Sequence, residues 1–170
     1  EAEAAAKLRG KVHPDDATAH DLGEPDVGKT EMWHVLQADL GSELICGLSP
    51  EVSADDFAVA ATDGSLETAM IRFGVSPGTS VFVPAGIVHA IGAGILLAEI
   101  QQNSDLTYRL YDWGRVDAEG KPRPLHVDKA MRAIHFGSLQ SGAATPLTWR
   151  EGDVTHSLHA ACRYFATHEI

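Results

Sequence analysis

Three short segments hold residue types that can do chemistry together. Residues 84–92 read Pro-Ala-Gly-Ile-Val-His-Ala-Ile-Gly and follow the β-rich run Val81-Phe82-Val83. A strand runs into a Pro/Gly turn, and the turn returns one imidazole, His89, to a strand. Histidine is the commonest metal ligand near neutral pH. The other two segments are Lys11-Val12-His13-Pro14-Asp15-Asp16 and Gly28-Lys29-Thr30-Glu31-Met32-Trp33. Strand alternation sets Lys11 and His13 on one face, and by the same rule Lys29 and Glu31 share a face. His13, Glu31 and His89 then supply two imidazoles and one carboxylate, a set that leaves a coordination position open as catalytic zinc sites do. The same donors suit iron, manganese or cobalt. Each residue also has an ordinary reading. His13 before Pro-Asp-Asp fits a turn or the surface, Glu31 fits an ion pair with Lys29, and His89 fits a hydrogen-bonded core histidine.

The elements that must position these residues are mostly strands. Met32–Leu36, Leu44–Gly47, Ser80–Pro84, Ile95–Gln101 and Thr107–Tyr111 are rich in β-formers and bounded by turn residues. Residues 95–100 are apolar almost throughout, which predicts a strand covered on both faces. Ser53-Ala54-Asp55-Asp56 opens a helix as an N-cap with an acid at the third position. Ser65 opens a further helical turn towards Met70 and Ile71. Val127, Ala130, Met131 and Ile134 fall on one face of a third helix. Strand-like text resumes at Thr145–Trp149 and Cys162–Ala166. The pattern predicts a β-barrel or sandwich with a helical insertion. Residues 1–9, helix-forming without an apolar stripe, read as a native helix end, a linker or an expression scar.

Composition bounds the partners. The 170 residues fit one domain, and a net charge of −11 offers no basic face for nucleic acid. A small anionic substrate remains compatible, given a local cationic pocket. Cys46 and Cys162 stand far apart and read as buried thiols rather than a disulfide. No apolar run has the length of a membrane span, so a cytoplasmic enzyme or binding protein is expected.

The three segments, in their order, resemble the zinc motifs of type I mannose-6-phosphate isomerases. So does Ala98-Glu99-Ile100-Gln101-Gln102-Asn103-Ser104-Asp105, continuing through Thr107-Tyr108-Arg109-Leu110-Tyr111-Asp112-Trp113-Gly114-Arg115. Gly120-Lys121-Pro122-Arg123 and Leu125-His126-Val127-Asp128-Lys129-Ala130 extend the likeness, with a weaker echo at Cys162-Arg163-Tyr164-Phe165. The resemblance implies a mainly β, cupin (jelly-roll type) barrel with a few short helices, residues 10–170 forming a single catalytic domain. It implies His13, Glu31 and His89 as ligands of one zinc ion, Arg109 as the active-site arginine, and Asp105 and Lys29 as polar residues of the same pocket. The implied reaction interconverts mannose 6-phosphate and fructose 6-phosphate through an enediol. A Lewis-acid metal and a fixed cation such as Arg109 suit the charge that develops on oxygen. The general base is left open among Asp105, Lys29 and a metal-bound water, and Lys29 alternatively holds phosphate.

Two departures from that family bear on the reading. The family usually has Gln at the position of Lys11, where it can act as a further ligand, and an ammonium cannot coordinate a cation. Lys11 must therefore point away, lose its charge or weaken the site. The chain also begins almost at the first motif and stops soon after the echo, so it reads as a catalytic core. Exposed strand edges then predict a homodimer. A sugar-phosphate isomerase is the favoured function. A non-catalytic sugar-phosphate-binding or regulatory cupin, and a different metal-dependent cupin enzyme, are the alternatives.

Overall fold

A computed structural model describes residues 10–111, 119–121, 123–137 and 142–170. Residues 1–9 lie outside these, as do Asp112, Trp113, Gly114, Arg115 and Pro122 of the resemblance. The described strands form three antiparallel sheets. Strands β1 (Gly10–Val12), β3 (Glu43–Leu48), β4 (Met70–Gly74), β6 (His89–Ile91) and β8 (Tyr108–Tyr111) make the first, in the order β4-β3-β6-β1-β8. Strands β2 (Glu31–Ala38), β5 (Ser80–Val83), β7 (Ile95–Gln101) and β9 (Ala143–Ala144) make the second, in the order β7-β2-β5-β9. Strands β10 (Leu147–Glu151), β11 (Val154–Ala161) and β12 (Ala166–Glu169) form the third. This is the mainly β, cupin-type architecture that the family resemblance implied, and it agrees with the barrel or sandwich read from the strand spacing.

Period-two alternation divides the side chains of the first sheet between two cores. Val12, Ile45, Ala90, Tyr108 and Leu110 pack against helices α2 (Ala54–Asp63) and α3 (Val127–Ala133), with Phe57, Ala60, Ala130 and Ile134 opposite them. Leu44 and Cys46 point the other way and meet Trp33, Val35, Val81 and Val83 of the second sheet. The space between the two sheets is therefore an apolar core, and the candidate chemistry lies at its end. The third sheet lies against the back of the second, where Ser80 Oγ meets His159 Nδ1 at 2.8 Å and Phe82 meets Phe165 edge-on.

Local signals account for the helices. Ser53 and Asp56 form the reciprocal capping box, Asp56 N–H donating to Ser53 Oγ and Ser53 N–H to Asp56 Oδ2, each at 3.1 Å. The helical turn after Ser65 stops at Ala69, so Met70 and Ile71 belong to β4 rather than to a helix. One helix was not foreseen. Helix α1 (Asp16–Asp21) is too short to show an apolar period, although Asp15 caps it by accepting from Thr18 N–H at 2.7 Å. Two strand expectations are corrected. β7 is an edge strand with Leu96 58% exposed, so its apolar run is not covered on both faces. Residues Cys162–Phe165 make the turn between β11 and β12, closed by Cys162 N–H donating to Phe165 O at 2.9 Å, and are not themselves a strand. Neither cysteine is in a disulfide, and Cys46 is buried while Cys162 is half-buried.

The corner before His89 depends on one glycine. Gly86 has φ +87, donates its N–H to His13 O at 2.8 Å and accepts from His135 N–H at 3.0 Å. A Cβ at Gly86 would lie 2.5 Å from the His135 ring. The turn thus ties the His89 strand to the His13 backbone in a conformation that side chains resist. Gly86→Ala is expected to cost about 2–4 kcal/mol, from left-handed strain plus the clash. Urea unfolding measures it, and a loss under about 1 kcal/mol would mean that the corner relaxes freely.

Candidate metal centre

Three strands bring the sequence-distant residues together. In antiparallel ladders, directly opposed residues point to the same face. Lys11 is opposite His89 on one side and Arg109 on the other, and His89 is opposite Cys46. Cys46, His89, Lys11 and Arg109 therefore form a row across the first sheet, facing the second. Glu31, at the start of β2, projects back with Trp33 and Val35. His13 follows directly after β1 and completes the cluster.

Glu31 is wholly buried, as is His89, and His13 nearly so. His13 Nε2 stands 3.0 Å from Glu31 Oε1, and His89 Nε2 stands 3.6 Å from Glu31 Oε2. The potential ligand atoms of the three residues all lie within 4.8 Å of one another. Backbone carbonyls decide which ring nitrogens are available. His13 Nδ1–H donates to Leu106 O at 2.7 Å, and His89 Nδ1–H donates to Ile87 O at 2.8 Å. Each neutral ring then aims the lone pair of Nε2 at the carboxylate. As a result His13 Nε2, His89 Nε2 and both Glu31 oxygens are buried with no hydrogen-bond partner. Lone pairs that face one another without water repel unless a cation stands among them. The donor set fits a divalent metal ion, with two imidazole nitrogens and a carboxylate held in the correct tautomers.

The electrostatics agree. Burial pushes the His89 imidazole well below its ordinary range, and the neighbouring positive charge of Lys11 adds to that, so the ring stays neutral. Burial alone would raise the Glu31 carboxyl. The close approach of His13 and the positive charge of Lys11 outweigh it and hold the group well below the usual carboxylate range.

The other candidates divide. Lys29 is buried beside the cluster, its Nζ 3.1 Å from Glu31 Oε1 and 4.0 Å from Glu99 Oε1. Its loop is held by Asp16, which accepts from Gly28 N–H at 3.0 Å and from Gln102 Nε2 at 2.8 Å. Gln102 N–H in turn donates to Thr30 O at 2.8 Å. Tyr164 of the weaker echo also donates to Asp16, at 2.8 Å, which ties that turn to the loop that carries Lys29. Arg109 shares the row with Lys11, and its Nη1 donates to Pro124 O at 2.9 Å. Asp105 is exposed, with its backbone N–H donating to Asp26 Oδ2 at 3.0 Å, and it is not drawn into the cluster. Lys11 does not point away. Its Nζ lies 3.8 Å from Glu31 Oε1. Glu99 opens the charged run to Arg109 that the resemblance includes, without an individual role there. It pairs across β2 and β7 with Trp33, whose Nε1–H donates to Glu99 Oε2 at 3.2 Å. Only the strand register reveals it.

Known proteins place this arrangement. The chain is 39% identical over 161 residues to mannose-6-phosphate isomerase ManA of Bacillus subtilis, covering 94% of this chain and 50% of that one. It is 38% identical over 139 residues to a mannose-6-phosphate isomerase of Streptococcus mutans, covering 82% of this chain and 43% of that one. The crystal structure of the mannose 6-phosphate isomerase from Bacillus subtilis superposes with a TM-score of 0.86 at 34% identity, over 95% of this chain and 51% of that one. The chain belongs to the mannose-6-phosphate isomerase family. It spans about half the length of the curated relatives it matches. No protein-family model matches it. A phosphomannose isomerase variant from Salmonella typhimurium, 13% identical with a TM-score of 0.57 over 91% of this chain and 60% of that one, shares the fold. Among the described residues of this family member, no helix is long and apolar enough to cross a membrane.

Buried neutral His89 makes stability depend on pH. Its folded pKa lies below the unfolded value of 6.5, so the unfolded chain takes up a proton that the folded chain refuses. Stability is full above pH 6.5 and falls as pH drops below it, by up to about 1.4 kcal/mol per pH unit. Glu31, also depressed, adds to the fall below its ordinary 4.5. In chelator-treated protein, urea midpoints from pH 7.5 to 5 are expected to decline less steeply in His89→Gln than in wild type. Equal slopes would mean that His89 takes up its proton in the folded protein as well.

Proposed function

We propose that the chain is a metal-dependent aldose–ketose isomerase that interconverts mannose 6-phosphate and fructose 6-phosphate. The four buried, unsatisfied atoms of His13, Glu31 and His89 carry this reading, because a divalent cation is the ligand that satisfies all of them at once. The ion taken in this reading is zinc, as the family resemblance implies, and the two imidazoles and the carboxylate are donors that suit it. When bound, it would supply a Lewis acid for the oxygens of the sugar's C1–C2 unit.

The chain's own residues do the rest. The reaction moves a proton between C1 and C2 through an enediol, which needs a group able to take and return it. Lys29 is buried against Glu31 and Glu99, in place to hydrogen-bond a sugar hydroxyl or take part in that transfer. Arg109, fixed at its backbone by His126 and at its guanidinium by the Pro124 carbonyl, supplies a permanent positive charge for an oxyanion or the phosphate. Asp105 belongs to the mouth in this reading, its exposed carboxylate reaching substrate rather than metal. The working protein is cytoplasmic, acts on a small soluble sugar phosphate rather than nucleic acid or membrane, and is expected to pair with a second copy through its open strand edges.

A second reading, binding of sugar phosphate without turnover, draws on Lys11 standing against Glu31. One assay separates the two. Purified protein stripped with chelator and reloaded with zinc is expected to produce fructose 6-phosphate from mannose 6-phosphate. Chelation should abolish the activity, and His89→Ala should lower kcat/KM by at least about a hundredfold, since metal stabilisation is worth several kcal/mol. Zinc-dependent sugar-phosphate binding by calorimetry with no product would establish the second reading instead.

A further inference from the structure

Two ammoniums and an imidazole crowd one carboxylate oxygen. Glu31 Oε1 lies 3.0 Å from His13 Nε2, 3.1 Å from Lys29 Nζ and 3.8 Å from Lys11 Nζ. The two ammoniums differ in how they are held. Lys29 is nearly sealed from solvent and divides its charge between Glu31 and Glu99. Lys11 has a side chain 21% exposed, and Glu31 is the carboxylate within its ion-pair range among the described residues. Its root cannot shift, because Lys11 is paired on one side to His89 and on the other to Arg109 in the middle of the first sheet. Only its four-carbon stem can move, and solvent is the one place for the ammonium to go.

We infer that Lys11 sets the metal affinity of the His13–Glu31–His89 centre by holding a competing positive charge against Glu31. This rests on the metal-centre reading above. An ammonium has no lone pair to give a metal, so Lys11 opposes the cation and does not assist it. A dication placed among His13, Glu31 and His89 meets that like charge at close range, in a setting too dry to screen it fully. Binding the metal therefore requires the Lys11 stem to swing towards solvent and give up its ion pair. Metal and Lys11 exclude each other at Glu31, which makes the centre weaker and more readily exchanged than its three ligands would otherwise be. The row geometry gives the displaced ammonium a second use. Beside Arg109 on the same face, it joins a cationic pair at the mouth.

The test measures zinc affinity by competition with a chromophoric chelator, for wild type, Lys11→Met, Lys11→Arg and His89→Ala. Methionine keeps the length of the stem and removes the charge, and arginine keeps the charge. Lys11→Met is expected to tighten zinc at least tenfold, and Lys11→Arg to stay within about threefold of wild type. A Lys11→Met constant equal to or weaker than wild type, with His89→Ala abolishing binding, would overturn the inference and leave the centre intact. No His89-dependent zinc binding in wild type or Lys11→Met would overturn the centre itself. Melting curves keep the question open to decision if Lys11→Met is less stable. Without metal its Tm should fall, because Glu31 loses a counter-charge, yet the rise in Tm on adding zinc should exceed that of wild type. A merely structural Lys11 would lower the Tm without enlarging that rise. Lys11→Leu serves as a second uncharged variant under the same criteria.

Discussion

A fully buried carboxylate governs this molecule. Taking Glu31 out of water costs several kcal/mol unless opposite charge and hydrogen bonds replace the lost solvation. The fold supplies the charge and withholds the hydrogen bonds. Lys29, Lys11 and the two imidazoles surround the oxygens, while those oxygens accept no hydrogen bond of good geometry. A core assembled only for stability would place an apolar residue at the start of β2, as it does at Trp33 and Val35 on the same face. Keeping a charge there makes sense when a cation is to be held.

The second requirement is orientation, and the backbone meets it. The Leu106 and Ile87 carbonyls take the Nδ1 protons of His13 and His89, so neither ring can turn its lone pair elsewhere without orphaning a carbonyl. Both carbonyls lie in loops fixed by other contacts. Leu106 N–H donates to Ser104 Oγ at 3.2 Å, and Ser104 Oγ donates to Val27 O at 2.8 Å. Ile87 follows the Gly86 corner, which is bonded to His13. The supports of the two imidazoles are thus linked through the backbone of the ligands themselves, and disturbing one turn disturbs both rings.

Much of this was legible in the chain. Alternating β-formers located β2, β3, β5, β7 and β8, the Ser53 box located α2, and ordered motifs pointed to His13, Glu31 and His89 as one group. What stayed hidden depended on pairing across strands. Glu99 reads as one acid in an apolar run until β7 is laid beside β2 and it falls opposite Trp33. Asp105 sits within the motif, but its exposed setting and the bond of its N–H to Asp26 Oδ2 are visible only in the folded loop. Lys11 shows the same limit. Spacing could say which face it shares with His13, but only the register with His89 and Arg109 shows that its stem leads to Glu31. The burial of β7 was misjudged for a related reason, since composition alone does not tell an edge strand from a central one.

Net charge and site charge pull in opposite directions, and distance settles which one a substrate feels. A chain of charge −11 repels a phosphorylated sugar at long range, but that field fades beyond a Debye length of about 8 Å at physiological ionic strength. Inside that distance Lys11, Lys29 and Arg109 are all associated with one end of the barrel core, and two of them stand against a single carboxylate. An anion that arrives there meets positive charge already partly desolvated, where each interaction is stronger than at the surface. The acidic exterior therefore does not argue against an anionic substrate. In the proposed isomerase it would confine recognition of such an anion to the few ångströms around Glu31, where His13, His89 and the cations lie together.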